Sequence, residues 1–308
     1  MRSTTTSTHE GTILGAITVG TSALGGRAHR SATDELNTAM AILRGPFRTV
    51  DTSNAYSGGR SEQILGRALA ALGDADAPEI VTKVDRDPDT GVLDRDRVLR
   101  SFEESMSRLG LDGVGILHLH DPYTISLAEA TASGGAIEGM LELRDSGAVS
   151  AIGIAAGPIP LMQSYVETGA FDALLTHNRY TLVDRSAEPL LLAARSRGMT
   201  VFNAAPFGGG LLASGSRPGA TYGYRPASDD LLAWVGRAER VCAEHGVALP
   251  AAALHFSTRS PLVHSTVVGV SSPERLQELE RLSGTVIPNE LWDALADLGP
   301  APTTWDEE

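Results

Sequence analysis

Along the chain, short runs of β-branched and aliphatic residues alternate with longer stretches whose apolar positions recur at helical spacing. The short runs read as strands at ILGAITVG (13–20), FRTVDT (47–52), EIVTKV (79–84), GILHLH (115–120), AIGIAA (151–156), ALLTHN (173–178), TVFNAA (200–205) and STVVGV (265–270). The amphipathic stretches are ATDELNTAMAIL, SEQILGRALAAL, DRVLRSFEESMSRLG, AIEGMLELRDSG, PLMQSYVETG, SAEPLLLAARSRG, a long one from Ser228 to about His245, and PERLQELERL. Ser31 and Ser61 suit helix starts, and Gly73, Gly110, Gly147 and Gly198 suit helix ends.

Eight strand-then-helix units at this length predict an α/β fold, a (β/α)8 or TIM barrel spanning 13–300 as one domain. A doubly wound sheet is the alternative, and it calls for a Gly-rich turn that opens a helix directly after the first strand. TSALGG after Gly20 lacks that spacing, and PFGGGLLASG (206–215) follows the seventh strand with the composition of a mobile loop. The segment 211–227 holds five residues of Gly or Pro and no periodicity, so it reads as a long lid or binding loop.

Composition narrows the partners. Of 308 residues, 42 % are hydrophobic and 20 % charged, enough to bury a large core. A net charge of −13 without a basic cluster argues against nucleic acid or an anionic membrane as partner and leaves a small-molecule substrate. The single cysteine, Cys242, has no internal partner and reads as a core thiol on an amphipathic helix. MRSTTTSTHEGT has no apolar stretch, no window approaches a membrane span, and a cytoplasmic location is expected. Residues 1–12 and 301–308 are expected to be flexible ends.

Lysine occurs once, at Lys83, in a chain that otherwise writes its basic residues as arginine. The two differ most where a compact, pKa-adjustable ammonium is needed rather than a planar fork. Lys83 lies in a strand that reads as buried, and a buried ammonium needs a partner. In a TIM barrel the site forms at the C-terminal strand ends, so polar residues there carry the information. The second strand ends at Asp51, with Tyr56 in the loop that follows; the third ends near Lys83; the fourth ends at His120, followed by Asp121-Pro122. Singly, Asp51 reads as a turn cap, Tyr56 as packing and His120 as a core histidine. On three successive strand ends they read as one pocket.

Those four side chains suggest acid–base work. A tyrosine near its ordinary pKa of about 10 is a poor acid at neutral pH. A neighbouring ammonium is expected to bring that value down, and a carboxylate keeps the ammonium charged and oriented. Histidine then fixes the substrate oxygen. This is the proton half of a carbonyl–alcohol redox reaction, whose hydride comes from a cofactor.

DTSNAY, VTKV and ILHLHDP, with SEQILGRAL and RLGLDGV, resemble the aldo-keto reductase superfamily from about Gly20 to about Leu298. That resemblance implies a (β/α)8 NAD(P)-dependent oxidoreductase in which Asp51, Tyr56, Lys83 and His120 form a catalytic tetrad, with Tyr56 as acid/base. HDP, NRYTLVD (178–184) and APFGGGLL look like the branch of aldose 1-dehydrogenases, with pyridoxal 4-dehydrogenase-like proteins near it. It also implies that Gly20, Thr21, Ser22 and Asp51 lie along the nicotinamide side. On the same grounds Ser271, Ser272, Arg275 and Glu278 in VVGVSSPERLQE (267–278) lie along the adenosine side, at a helix start suited to phosphate. The family's usual Ser-Asn after the fifth strand reads Ala155-Ala156, and its stacking tyrosine after the seventh reads Ala204, unless Phe207, beside Gly208, substitutes. Its lysine beside the 2′-phosphate reads Gly269, and its adenine-side asparagine reads Leu279. His177 and Asn178 are expected to supply contacts instead, and the cofactor is NADP or NAD, with a lean to NADP.

Two other classes stay open on the sequence: a non-catalytic cofactor-binding subunit, and a metal-dependent barrel hydrolase suggested by His118 and His120 on one strand face. The hydrolase reading lacks a ligand on the fifth strand and an Asp on the eighth; no metal is expected, and His118 is placed one layer deeper, as packing. For the substrate, Tyr222, Tyr224 and Arg225 in the long loop, with Tyr123 and Trp234, are candidate contacts to a sugar or ring.

Overall fold

The β-branched runs pair in parallel and close on one another in the computed structural model, which describes residues 6–8, 12–26, 31–73 and 77–302. The barrel strands are β1 (Ile17–Gly20), β2 (Thr49–Asp51), β3 (Glu79–Val84), β4 (Val114–His120), β5 (Val149–Ala156), β6 (Ala173–His177), β7 (Thr200–Ala204) and β8 (Ser265–Gly269). Each pairs with its sequence neighbour, and β8 closes the ring by pairing with both β7 and β1. A closed ring has no edge, which sets the doubly wound alternative aside.

Outside the barrel run α1 (Ala32–Arg44), α2 (Arg60–Leu72), α3 (Arg95–Leu109), α4 (Ala136–Asp145), α5 (Ile159–Glu167) and α6 (Glu188–Ser196). They continue with α7 (Asp229–Glu244), α8 (Leu249–Thr258), α9 (Pro273–Ser283) and α10 (Asn289–Ala296). The alternation of each strand divides the apolar residues into two sets. Val19, Val50, Leu117, Leu119, Ile152 and Ile154 face the helices, whereas Val81, Ile116, Ala151, Ala155, Leu175, Phe202 and Val267 fill the barrel interior. Small residues on β5 make that interior possible. A Cβ at Gly153 would stand 2.2 Å from His118 Nδ1, so the glycine is what admits the imidazole beside Phe202.

Several elements differ from the sequence expectation. The first run breaks: Thr12–Leu14 pairs antiparallel with Thr6–Thr8, and Leu14 joins the interior cluster at the N-terminal end of the barrel. The rest of the expected flexible N-terminus, and nearly all of the C-terminal one, lies outside the described residues. Helix α2 is preceded by Gly59 in a left-handed conformation, and Ser61 is no cap: its hydroxyl is buried and donates to the Thr21 carbonyl. Ser31 does cap α1, in a reciprocal capping box with Asp34. Helices α8 and α10 were not anticipated. The segment ALPAAALHF is apolar on nearly every side and has no polar stripe to mark it as a helix; α8 is correspondingly buried. The long loop holds a short helix, Leu211–Ser214, and a hairpin pairing Thr221–Tyr222 with Arg225–Pro226.

Candidate active site

At the C-terminal end of the barrel, strands β2, β3 and β4 bring Asp51, Lys83 and His120 to one cavity of about 570 Å³, and the β2–α2 loop adds Tyr56. Lys83 is 1 % exposed, so its charge must be met inside the protein. It is met fully. Nζ lies 2.7 Å from each Asp51 oxygen and 2.6 Å from the Thr52 carbonyl. It also stands 4.7 Å from the Tyr56 ring centroid. Burial alone would lower the Lys83 pKa, but Asp51 and then Tyr56 raise it, and the net direction is up. Burial pushes Asp51 up against the pull of Lys83, and the two remain an ion pair because each is the other's counter-ion.

Tyr56 corrects an expectation. Its pKa is pushed up to about 12, because burial and the Asp51 charge outweigh the pull of Lys83. At neutral pH Tyr56 is therefore a phenol with its proton in place. The tight coil that carries it is anchored to α3: Arg108 donates to the Asn54 carbonyl, and Arg97 and the Ser101 carbonyl hold the Asn54 side chain. The His120 ring meets the Tyr56 ring edge-on, with centroids 5.8 Å apart.

One partner was missed by sequence reasoning. Asp85 Oδ1 lies 2.7 Å from His120 Nδ1, while its Oδ2 accepts from the Ser53 hydroxyl and the Ala55 amide at 2.5 and 3.0 Å. Burial pushes the Asp85 pKa up, but His120 and these donors bring the net below the usual carboxylate range. With Nδ1 engaged by Asp85, His120 turns Nε2 toward the cavity. Asp85 is two residues past Lys83, the same strand parity, and that signal was available in the sequence. His118 lies one layer below, fully buried against Phe202, and burial holds it neutral.

Gly20, Ser22, His177 and Ala204 line this cavity; Thr21 does not, because its buried hydroxyl ties β1 to β2 through the Asp51 carbonyl. Asn178 is also buried behind the wall, where its amide meets His177 Nδ1 at 3.1 Å. A second cavity of about 340 Å³ is lined by Ser271, Arg275, Glu278, Leu279 and Phe207, so Phe207 does not replace a residue at the barrel mouth. Ser272 caps α9 with its side chain, and Gly208 packs under the Tyr222 ring; neither lines either of these two cavities. Gly269 lines both cavities, which makes them neighbours there, and nothing lies within 4 Å of where its Cβ would sit. Two neighbouring cavities, one with an acid–base cluster and the other with an arginine near a helix N-terminus, suit a dinucleotide with one end in each.

Of the candidate substrate contacts, Tyr123 and Tyr224 line the first cavity. Trp234 does not: its indole donates to the Gly299 carbonyl beside a separate crevice. Tyr222 is buried, with its hydroxyl donating to the Asn178 carbonyl, and Arg225 lies outside the lining. Non-glycine residues with positive φ gather at this end of the barrel, at Ser57, Asp121, Asn178 and Ala205. Such backbone strain clusters where geometry is set for function. Among the described residues no group of three or more His, Cys, Asp or Glu is arranged to hold a metal ion, and no helix is long and apolar enough to cross a membrane.

The aldo/keto reductase family model matches residues 16–299. L-galactose dehydrogenase of Arabidopsis thaliana is 32 % identical over 85 % of this chain and 82 % of its own. D-threo-aldose 1-dehydrogenase of a Pseudomonas species is 36 % identical, and pyridoxal 4-dehydrogenase of Microbacterium luteolum 31 %, each over 66 % of this chain. For these two the match spans 62 % of the relative's length. The solved glycerol dehydrogenase from Gluconobacter oxydans superposes with a TM-score of 0.76 at 19 % identity, covering 100 % of this chain and 97 % of that one. An aldo-keto reductase from Bacillus halodurans gives 0.75 at 20 %, covering 94 % of each chain. At those identities the superpositions speak for the fold alone.

Proposed function

The chain belongs to the aldo/keto reductase family and is an oxidoreductase, and from that premise we propose that it interconverts a carbonyl and an alcohol or lactol with Tyr56 as general acid/base. The observation that carries this reading is the convergence of Asp51, Tyr56, Lys83 and His120 on one cavity. A nicotinamide dinucleotide, when bound, supplies or accepts the hydride. Ser22, His177, Ala204 and Gly269 would flank its reactive end, and Ser271, Arg275 and Glu278 its adenosine end.

The protein's own part is proton management. In the reductive direction Tyr56, protonated at neutral pH, gives its proton to an oxygen gaining negative charge. Lys83 lies close enough to stabilise the phenolate left behind, and Asp51 holds Lys83 in place. His120, oriented by Asp85, is placed to hydrogen-bond the substrate oxygen. In the oxidative direction the same groups run in reverse.

From the charged and hydroxyl-bearing side chains at the reacting position and from two relatives whose names refer to sugars, we propose an aldose, a lactol or another small polyhydroxylated aldehyde as substrate. The cofactor is NADP or NAD, and Arg275 favours NADP because a guanidinium pairs with an added phosphate. The test is a screen of aldoses and simple aldehydes with NAD+, NADP+ and their reduced forms, followed at the nicotinamide absorbance. Turnover of at least one aldose is expected. Absence of turnover with every carbonyl and cofactor pair would refute the reading.

A further inference from the structure

The wall of the first cavity carries a carboxylate that the proton chemistry does not use. Asp121, directly after His120, lines the cavity with His177, Tyr123 and Tyr224. Its Oδ2 lies 3.7 Å from His120 Nε2, the nitrogen turned toward the substrate oxygen. Its Oδ1 is buried and accepts no hydrogen bond, which leaves Oδ2 as the oxygen that can meet a ligand. Asp85, on the other side of the same imidazole, is saturated by Ser53, Ala55 and His120. One carboxylate is thus fixed as scaffold, and the other offers Oδ2 beside the reacting position.

The backbone at Asp121 is held where few side chains sit. Its φ is 43°, and the conformation is retained by its amide donating to the Ala155 carbonyl and its own carbonyl accepting from the Tyr123 amide. Aspartate and asparagine tolerate this region better than other non-glycine residues. Glycine would relieve the backbone and lose the carboxylate. The nearby cation does not neutralise it, because Arg86 donates to the Asp121 carbonyl rather than to its carboxylate. Burial and then the charge of the nearby Asp121 raise the pKa of the Tyr123 phenol, which accepts from the Gly157 amide.

We propose that Asp121 is the substrate-selecting residue of the cavity, accepting hydrogen bonds from hydroxyl groups on carbons next to the reacting one. The ligand class is a neutral polyhydroxylated aldehyde or its alcohol, and the inference rests on the proposed carbonyl–alcohol chemistry of the same site. An ionised acceptor gains from a hydroxyl donor and gains nothing from a methylene. Selection is therefore for hydroxylation rather than for size.

The test compares wild type with Asp121→Asn, which keeps shape and backbone preference, and with Asp121→Ala as a second variant, both checked by thermal melting. The readout is the ratio of kcat/KM for glyceraldehyde to that for propanal, two aldehydes of equal chain length. One or two charge-assisted hydrogen bonds correspond to a fall in that ratio of about 10- to 100-fold. A fall of at least fivefold in a folded variant supports the proposal. A smaller fall overturns it, because a merely structural role lowers both substrates together and leaves the ratio unchanged. Saturation-transfer NMR with xylitol reads binding without chemistry. If the wild type turns over neither aldehyde, the NMR arm decides, and the separate screen of carbonyls and cofactors decides the catalytic reading: transfer in wild type that Asp121→Asn loses supports the inference, and equal or absent transfer overturns it.

Discussion

At the scale of single residues, Lys83 shows most clearly why one side chain cannot stand in for another. Its ammonium has three protons and three acceptors, the two Asp51 oxygens and the Thr52 carbonyl, all within 2.7 Å. A planar guanidinium is larger and cannot act as a point donor between Asp51 and Tyr56. Lys83→Arg is expected to keep cofactor affinity near that of wild type, to melt at a lower temperature, and to lose turnover by about 10²-fold, since a displacement of about 1 Å at a reacting group suffices. Rates at saturating cofactor beside a thermal melt check this, and a folded variant with wild-type turnover would remove Lys83 from the acid–base cluster. The four cluster residues were legible because three lie at strand ends and the fourth, Tyr56, lies in the loop after one, and each is chemically conspicuous there. The height of the Tyr56 pKa was not, because it depends on how much water the surrounding loop removes, and no residue pattern states that.

Elements were mostly legible where one face is polar and hidden where none is, the short amphipathic α10 being an exception. Helix α2 has a clear stripe and was read; α8 has no stripe and was not. Close approach between elements is equally hidden. Gly66 lies inside α2, where helix propensity alone says alanine gains about 1 kcal/mol. Yet a Cβ there would stand 2.0 Å from the Arg108 carbonyl oxygen at the end of α3, a backbone atom that cannot swing aside. Overpacking of this kind costs about 1–3 kcal/mol, so contact wins over propensity. Gly66→Ala is expected to lower Tm by several degrees, and an unchanged or raised Tm would mean that the two helices separate at little cost. The start of α9 carries a prediction of its own. Arg275 shares the second cavity with Ser271 and Glu278, and its guanidinium is the group suited to an added phosphate. Arg275→Ala should weaken NADPH by about tenfold or more and NADH much less, as the loss of one charge-assisted contact implies. Fluorescence titration of both cofactors measures this, and equal affinities before and after the change would place the phosphate elsewhere.

For the molecule as a whole, the fold holds imidazoles in places where they cannot easily take a proton. His118 and His177 are lowered by burial, and His264 is lowered to about 4, first by burial and then by the Arg195 charge. His264 lies just before β8, where its Nδ1 accepts from the Val201 amide at 2.8 Å. Protonation would set a second donor against that amide and a positive ring beside Arg195. A histidine whose folded pKa lies below its unfolded value of about 6.5 binds its proton more tightly in the unfolded chain. Its contribution to stability is therefore full above about pH 6.5 and is lost progressively as pH falls toward 4. Buried carboxyls shifted upward, such as Asp51 and Glu62, act in the opposite sense, so the wild-type curve alone does not isolate one group. His264→Asn does. Asparagine places an acceptor near Nδ1, keeps the Val201 bond and has no proton to gain. Allowing for the half-exposure of the ring, the difference between the two proteins should shrink by about 1 kcal/mol between pH 7.5 and 4.5. In a domain of this size that is a change of about 2–4 °C in relative Tm. Thermal melts across that range test it: the wild type should lose more Tm on acidification than His264→Asn, whereas parallel curves would mean that His264 takes up its proton in the folded state as readily as in the unfolded one.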